Sequence, residues 1–185
     1  MTELGALGER MRGCTACGLA KGRTQVVPGE GNPQAEVVFI GEGPGFHEDQ
    51  LGRPFVGPAG KFLDELLQGA SLRREEVYIC NVVKCRPPEN RNPEADEVAA
   101  CEPFLKKQID LVRPKVIVGL GKFAVQTLLQ SKVPIMKLRG SWQRYHGIKL
   151  MPTLHPAYLL RNPADKKLVW EDIKQVIKEL RDDNV

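Results

Sequence analysis

Four apolar, β-rich runs recur along the chain, and a stretch of helical spacing follows each one. They are EVVFIGEGPG (36–45), VYICNVV (77–83), KVIVGLG (115–121) and KLMPTLHP (149–156). None has the polar alternation of a half-exposed strand, so each should be covered on both faces. Phe62, Leu63, Leu66 and Leu67 have the spacing of one helix face, after the breakers Gly57, Pro58 and Gly60. Helices are also expected over 94–111, with Pro93 at the start, over 122–130 and over 165–181. Leu4, Leu7 and Met11 suit a short helix at the N-terminus. Strand–helix order repeated four times predicts an α/β fold, a three-layer α/β/α sandwich around a central, mainly parallel four-stranded sheet. Residues 134–145 read as either a further strand or an irregular connection. The 185 residues suffice for one domain over 1–185 that buries a proper core.

Five cysteines, Cys14, Cys17, Cys80, Cys85 and Cys101, are an odd number in a chain whose N-terminus has no long apolar core. That argues against a secreted disulfide framework. No run reaches the length needed to span a membrane, so a cytoplasmic, reducing setting is expected. Cys14-x-x-Cys17 places two thiolates in one tight turn, and Cys85 and Cys101 flank a loop and a helix start. Together they can supply four sulfur ligands, for tetrahedral zinc or an iron–sulfur cluster. Cys80 lies inside a strand, alternates away from Asn81 and reads as a core residue.

The formal charge of +4 says little until it is split along the chain. Residues 132–167 hold eight Lys/Arg and one acid, Asp165, which is +7 on an otherwise slightly acidic body. A local basic patch suits a polyanionic partner.

In a parallel α/β sheet, ligands bind beyond the carboxyl ends of the strands. The loops expected there are 41–49, 81–92 and 155–161. Gly41-Glu42-Gly43-Pro44-Gly45 lacks the G-x-G-x-x-G spacing and any G-K-[ST], so it is not a standard phosphate loop. Its glycines would let backbone approach a ligand, with Glu42 at the edge and Glu48 within loop distance. Phe55, between two glycine-rich turns, could stack on a planar ring. Asn81 ends the second strand, where an amide offers one donor and one acceptor to the edge of a base. His155-Pro-Ala-Tyr-Leu-Leu-Arg161 follows the fourth strand, and His155 should share the cleft with Glu42. Apolar side chains beside cations there are the kind that push into a base stack. On these residues alone, a catalytic site and a non-catalytic nucleic-acid-binding module with a structural metal both stand. An electron carrier is a third reading.

GEGPG near the first strand and HPAYLLR near the last resemble the two active-site motifs of uracil-DNA glycosylases. Cys14, Cys17, Cys85 and Cys101 resemble the four ligands of the iron–sulfur, type 4 family, and GRPFVGPAG and the Asn81 strand are similar to it as well. The likeness covers nearly the whole chain. It implies a [4Fe–4S] cluster rather than zinc. It implies a DNA repair hydrolase that flips uracil from single- or double-stranded DNA and leaves an abasic site, without a lyase step. Phe55 would stack on uracil, Asn81 would bind its N3/O4 edge and His155 would contact O2. Backbone of Gly41, Glu42 and Gly43 would complete the base contacts. Leu159, or Leu160, would be the wedge, and Arg161 would touch phosphate. The best-known members carry an Asp in the first motif to position water. The matching place here looks like Gly43, so Glu42 and Glu48 both stand as the acting carboxylate. One relative forms a covalent adduct through a His in a loop after the Cys85 region. RPPENRNPEAD has no His, so no adduct is expected. A monomer is implied, with downstream repair proteins as further partners.

Overall fold

The computed structural model describes residues 1–182. Helix α1 (Glu3–Arg12) starts at Thr2, whose hydroxyl accepts the Gly5 N–H at 3.0 Å. The Cys-bearing turn leads to β1 (Glu30–Gly31) and β2 (Val37–Gly41). Next come α2 (Phe46–Leu51), α3 (Pro58–Gly69), β3 (Tyr78–Asn81), α4 (Ala95–Val112), β4 (Val116–Leu120) and α5 (Lys122–Leu129). The C-terminal part holds α6 (Ile135–Leu138), β5 (Gln143–Tyr145), β6 (Ile148–Thr153), α7 (Pro156–Arg161) and α8 (Lys166–Asp182).

The strands form one sheet in the order β1-β3-β2-β4-β6-β5. The four expected strands are its centre, β3-β2-β4-β6, and every pairing among them is parallel. The sheet has six strands rather than four, because β1 and β5 add antiparallel edges. β1 is two residues long and has no apolar run to announce it. Segment 134–145 holds the strand option as β5, preceded by a short helix, α6, that neither option named.

Side chains alternate between the faces of a strand, and this alternation builds the three layers. Val38, Ile40, Cys80 and Ile117 join Leu7 and Met11 of α1, Leu105 and Ile109 of α4 and Ala124 of α5 in one core. Val37, Phe39, Ile79 and Val118 point the other way, onto Leu63 and Leu66 of α3 and Ile173 and Val176 of α8. Cys80 is fully buried in the first core, as its place in the strand predicts.

The sequential connections leave β2 in opposite directions, to β3 on one side and to β4 and β6 on the other. The strand order therefore reverses between β2 and β4, the position at which open α/β sheets form a crevice. One buried polar cluster holds the outer wall of that crevice. Asp172 of α8 is fully buried and accepts from Arg139 Nη2 (2.7 Å), Arg139 Nε (3.1 Å) and Thr153 Oγ1 (2.6 Å). It ties the end of β6 to the residue after α6. Asp172→Ala takes away the buried partner of the guanidinium, which keeps the Leu168 carbonyl and the exposed Glu171, and should cost about 3 kcal/mol of stability, read from denaturant unfolding.

Candidate active site at the strand ends

A pocket of about 800 Å³ opens at the carboxyl ends of the four parallel strands. Each strand delivers residues to it: Glu42 and Gly43 after β2, Asn81 at the end of β3, Gly121 and Lys122 after β4, and His155 after β6. Parallel register sets Gly41 directly beside Asn81. The pairing continues past the strands, because Val82 N–H donates to the Gly41 carbonyl (2.9 Å) and Val83 N–H to the Glu42 carbonyl (3.2 Å).

Gly41 lies just behind the pocket lining, between Phe55 and Asn81. A Cβ there would lie 2.6 Å from Asn81 Oδ1 and 2.6 Å from Phe55 Cζ. Only a residue without a side chain lets the Phe55 ring and the Asn81 amide come together. Asn81 is 2% exposed, and its Oδ1 is buried without a hydrogen-bond partner. An unpaired buried acceptor costs free energy, which a ligand N–H in the pocket would recover. Phe55 packs into the α3/α8 core and also forms one wall of the pocket. Its ring lies 5.5 Å from the His155 ring, at 31°.

His155 caps α7: its Nδ1 accepts the Ala157 N–H at 2.9 Å. Burial, helped by the positive charge of Arg161, depresses its pKa to about 4 against a smaller opposing pull from Glu48. The ring is therefore neutral near pH 7. With Nδ1 accepting, the ring proton sits on Nε2, so this imidazole can donate to a ligand without being charged. Burial also raises the pKa of Glu42, whose carboxylate has no hydrogen bond or ion pair among the described residues.

Glu48, the alternative carboxylate to Glu42, also lines the pocket, but the backbone holds it. Its Oε1 accepts from Gly45 N–H (3.0 Å), and its Oε2 accepts from Val56 N–H (3.0 Å) and Gly57 N–H (2.8 Å). Both oxygens are occupied in stapling the loop after β2 to the loop that carries Phe55. Glu42 is the carboxylate left open to the pocket.

Leu159 also departs from its expected place. Residues 155–161 form a capped helix, with Pro156 at its first position. Successive residues on a helix turn by about 100°, so Leu159 and Leu160 cannot face the same way. Leu159 is fully buried in the core, whereas Leu160 is 49% exposed. A wedge has to be exposed, which leaves Leu160 next to Arg161. Arg161 lines the pocket.

Lys122, Gln126 and Met136 line the pocket too, and the sequence reading passed over them. The rule that pointed to the other strand ends applies equally to β4 and could have found Lys122. Not all of the +7 segment is available to a partner. Arg139 is spent on Asp172, and Lys149 pairs with Glu179.

Cys14, Cys17, Cys85 and Cys101 all line one small cavity between the N-terminal turn and α4, and Cys80 lies outside it. Arg23 Nη1 donates to Cys85 Sγ (3.5 Å) and to the Cys14 carbonyl (2.6 Å), and the Ala16 backbone N–H donates to Cys14 Sγ (3.5 Å). As the side chains stand, no three His, Cys, Asp or Glu residues among those described converge at metal-ligand spacing. The chemistry of the donor set nonetheless fits a thiolate-bound metal: four sulfurs on one cavity, with N–H donors turned toward them.

The fold is that of an open α/β domain with its pocket at the switch point of the sheet. The family model for the uracil DNA glycosylase superfamily matches residues 28–174. A type-4 uracil-DNA glycosylase of Thermotoga maritima is 52% identical over 175 residues, covering 91% of this chain and 90% of that protein. Those of Sulfurisphaera tokodaii and Saccharolobus solfataricus are each 44% identical, covering 95% and 97% of this chain and 84% and 88% of theirs. The chain belongs to the uracil-DNA glycosylase superfamily and, within it, to the type-4 family.

The two leucines of α7 should separate in stability measurements. Leu159→Ala removes a core side chain and should cost about 2–5 kcal/mol. Leu160→Ala should stay within about 0.5 kcal/mol of wild type in the same denaturant titration.

Proposed function

We propose that this protein excises uracil from DNA, hydrolysing the N-glycosidic bond and leaving an abasic site. The buried, unpartnered Oδ1 of Asn81 carries the reading. Uracil presents an N3–H donor beside the O4 acceptor, matching an amide that accepts at Oδ1 and donates at Nδ2. Cytosine reverses that pattern and would leave the amide unpaired on both atoms. Phe55 supplies a flat apolar wall for the extruded ring, close to Asn81 across Gly41.

Bond cleavage sends the C1′–N1 electron pair onto the base and leaves positive charge on the sugar. His155, neutral and carrying its proton on Nε2, donates toward the uracil O2, where negative charge develops. Glu42 faces the sugar side, stabilises the cation and orients the water whose oxygen forms the new bond to C1′. The water proton passes to Glu42 and then to solvent. Removing the base from a duplex costs a few kcal/mol. Leu160 offsets this by filling the vacated stack, and Arg161 and Lys122 hold phosphate. The reaction stops at the abasic site, since hydrolysis by water forms no imine with the protein.

Cys14, Cys17, Cys85 and Cys101 hold a [4Fe–4S] cluster in this reading. When bound, it supplies a structural cross-link between the N-terminal turn and α4. In this reading the enzyme is a monomer that hands its product to downstream repair proteins. Among the described residues, no helix is long and apolar enough to cross a membrane, and we place the enzyme with the DNA inside the cell.

Release of free uracil from a single-stranded uracil oligonucleotide, measured under single-turnover conditions, tests the pocket. Asn81→Ala and His155→Ala should each slow release roughly a hundredfold or more. Wild-type rates from a folded Asn81→Ala would overturn the assignment. Leu160→Ala should slow excision from duplex more than from single strands. Anaerobic purification should give a coloured protein with iron and acid-labile sulfide in equal amounts, and a colourless zinc protein would overturn the cluster.

A further inference from the structure

Phe55 is held in an unusual state. Its backbone has φ +50°, in the left-handed region that bulky side chains rarely occupy. An element outside the pocket has to keep it there. Arg74 lies in the turn before β3, within a run of charged residues that reads as solvated surface. Instead, its side chain is only 19% exposed. It donates to the carbonyls of two successive residues, Pro54 (Nη2, 2.7 Å) and Phe55 (Nη1, 3.1 Å). The same nitrogens are held by Glu30 (2.7 Å) and Asp64 (2.9 Å). Glu30 is placed by the edge strand β1, paired to Ile79 of β3, and is gripped on its other side by Arg53 (2.8 and 3.0 Å). Arg74 Nε is left buried without a partner, so the guanidinium keeps this position although one donor goes unsatisfied.

We infer that Arg74 is a positioning residue for catalysis: by clamping the Pro54 and Phe55 carbonyls it sets the plane of the Phe55 ring against which the base is stacked. Arg74 is not among the residues lining the pocket, and its effect passes entirely through Phe55. The inference rests on the stacking role given to Phe55 above. A planar fork is needed to hold two adjacent carbonyls and two carboxylates at once, which a lysine cannot do.

A double-mutant cycle tests this, with single-turnover excision and affinity for abasic-site DNA as readouts. Arg74→Met should slow excision about tenfold and leave abasic-DNA affinity unchanged, because that DNA has no base to stack. Arg74→Lys should recover part of the rate. In a Phe55→Leu background, Arg74→Met should add less than about twofold, because the two residues act as one unit. If Arg74→Met is not folded at the assay temperature by circular dichroism, Arg74→Lys carries the same cycle, with a smaller loss that likewise vanishes in Phe55→Leu. A wild-type rate from the folded Arg74 variant, or a loss that multiplies fully onto that of Phe55→Leu, overturns the inference alone. Wild-type excision by Phe55→Leu overturns both the inference and the stacking role beneath it.

Discussion

Parallel pairing of β2 with β3 puts Gly41 beside Asn81, and the rest of the pocket depends on that register. A slip by one residue would turn every side chain of the strand to the opposite face. Asn81 would enter the α1/α4 core and Cys80 would face the ligand. The long apolar strands resist such a slip because each buries residues on both faces. Register also decides where the missing Cβ falls. Phe55 and the Asn81 amide meet across a glycine at the end of the neighbouring strand, where a Cβ would lie 2.6 Å from each. Fold stability and base recognition therefore rest on the same hydrogen-bond ladder.

Around that ladder, charged groups do jobs that their surface-like sequence context conceals. Glu48 holds two loops together, Arg139 and Asp172 pin the C-terminal wall, and Arg74 grips the backbone of Phe55. Lys84 is 1% exposed and donates both to the Asn81 carbonyl and to Gln108 Oε1, each at 2.6 Å. Lys84 also lines the cavity of the four cysteines. The thiol-lined cavity and the base pocket are thus joined by one residue, from opposite ends of a buried network that continues through Gln108 to Pro28 and Tyr78.

Much of this was legible in the sequence, for physical reasons. Continuous apolar runs can only be doubly covered strands, so the four central strands and their three layers followed directly. Residues at strand ends are fixed by topology, which is why Asn81, Glu42 and His155 fell together. The features that escaped depend on angles or on partners distant in sequence. Leu159 and Leu160 are distinguished only once 156–161 is known to be helical, because one residue of helix rotation divides core from solvent. Glu42 and Glu48 are distinguished by three backbone N–H groups, two of which lie eight and nine residues further along the chain. β1 has two residues and no pattern at all, yet it supplies the acid that holds Arg74.

The edges of the sheet carry a consequence of their own. β1 ends one side after two residues and β5 ends the other after three, with Arg144 in its middle. An exposed strand edge is a template on which another chain can add backbone hydrogen bonds, and long flat edges invite aggregation. Here the four parallel strands are all interior, including the valine- and isoleucine-rich β2 and β4. What the sheet offers at its borders is too short to pair with a partner in register. Edge-to-edge joining of the sheets of two copies is therefore disfavoured.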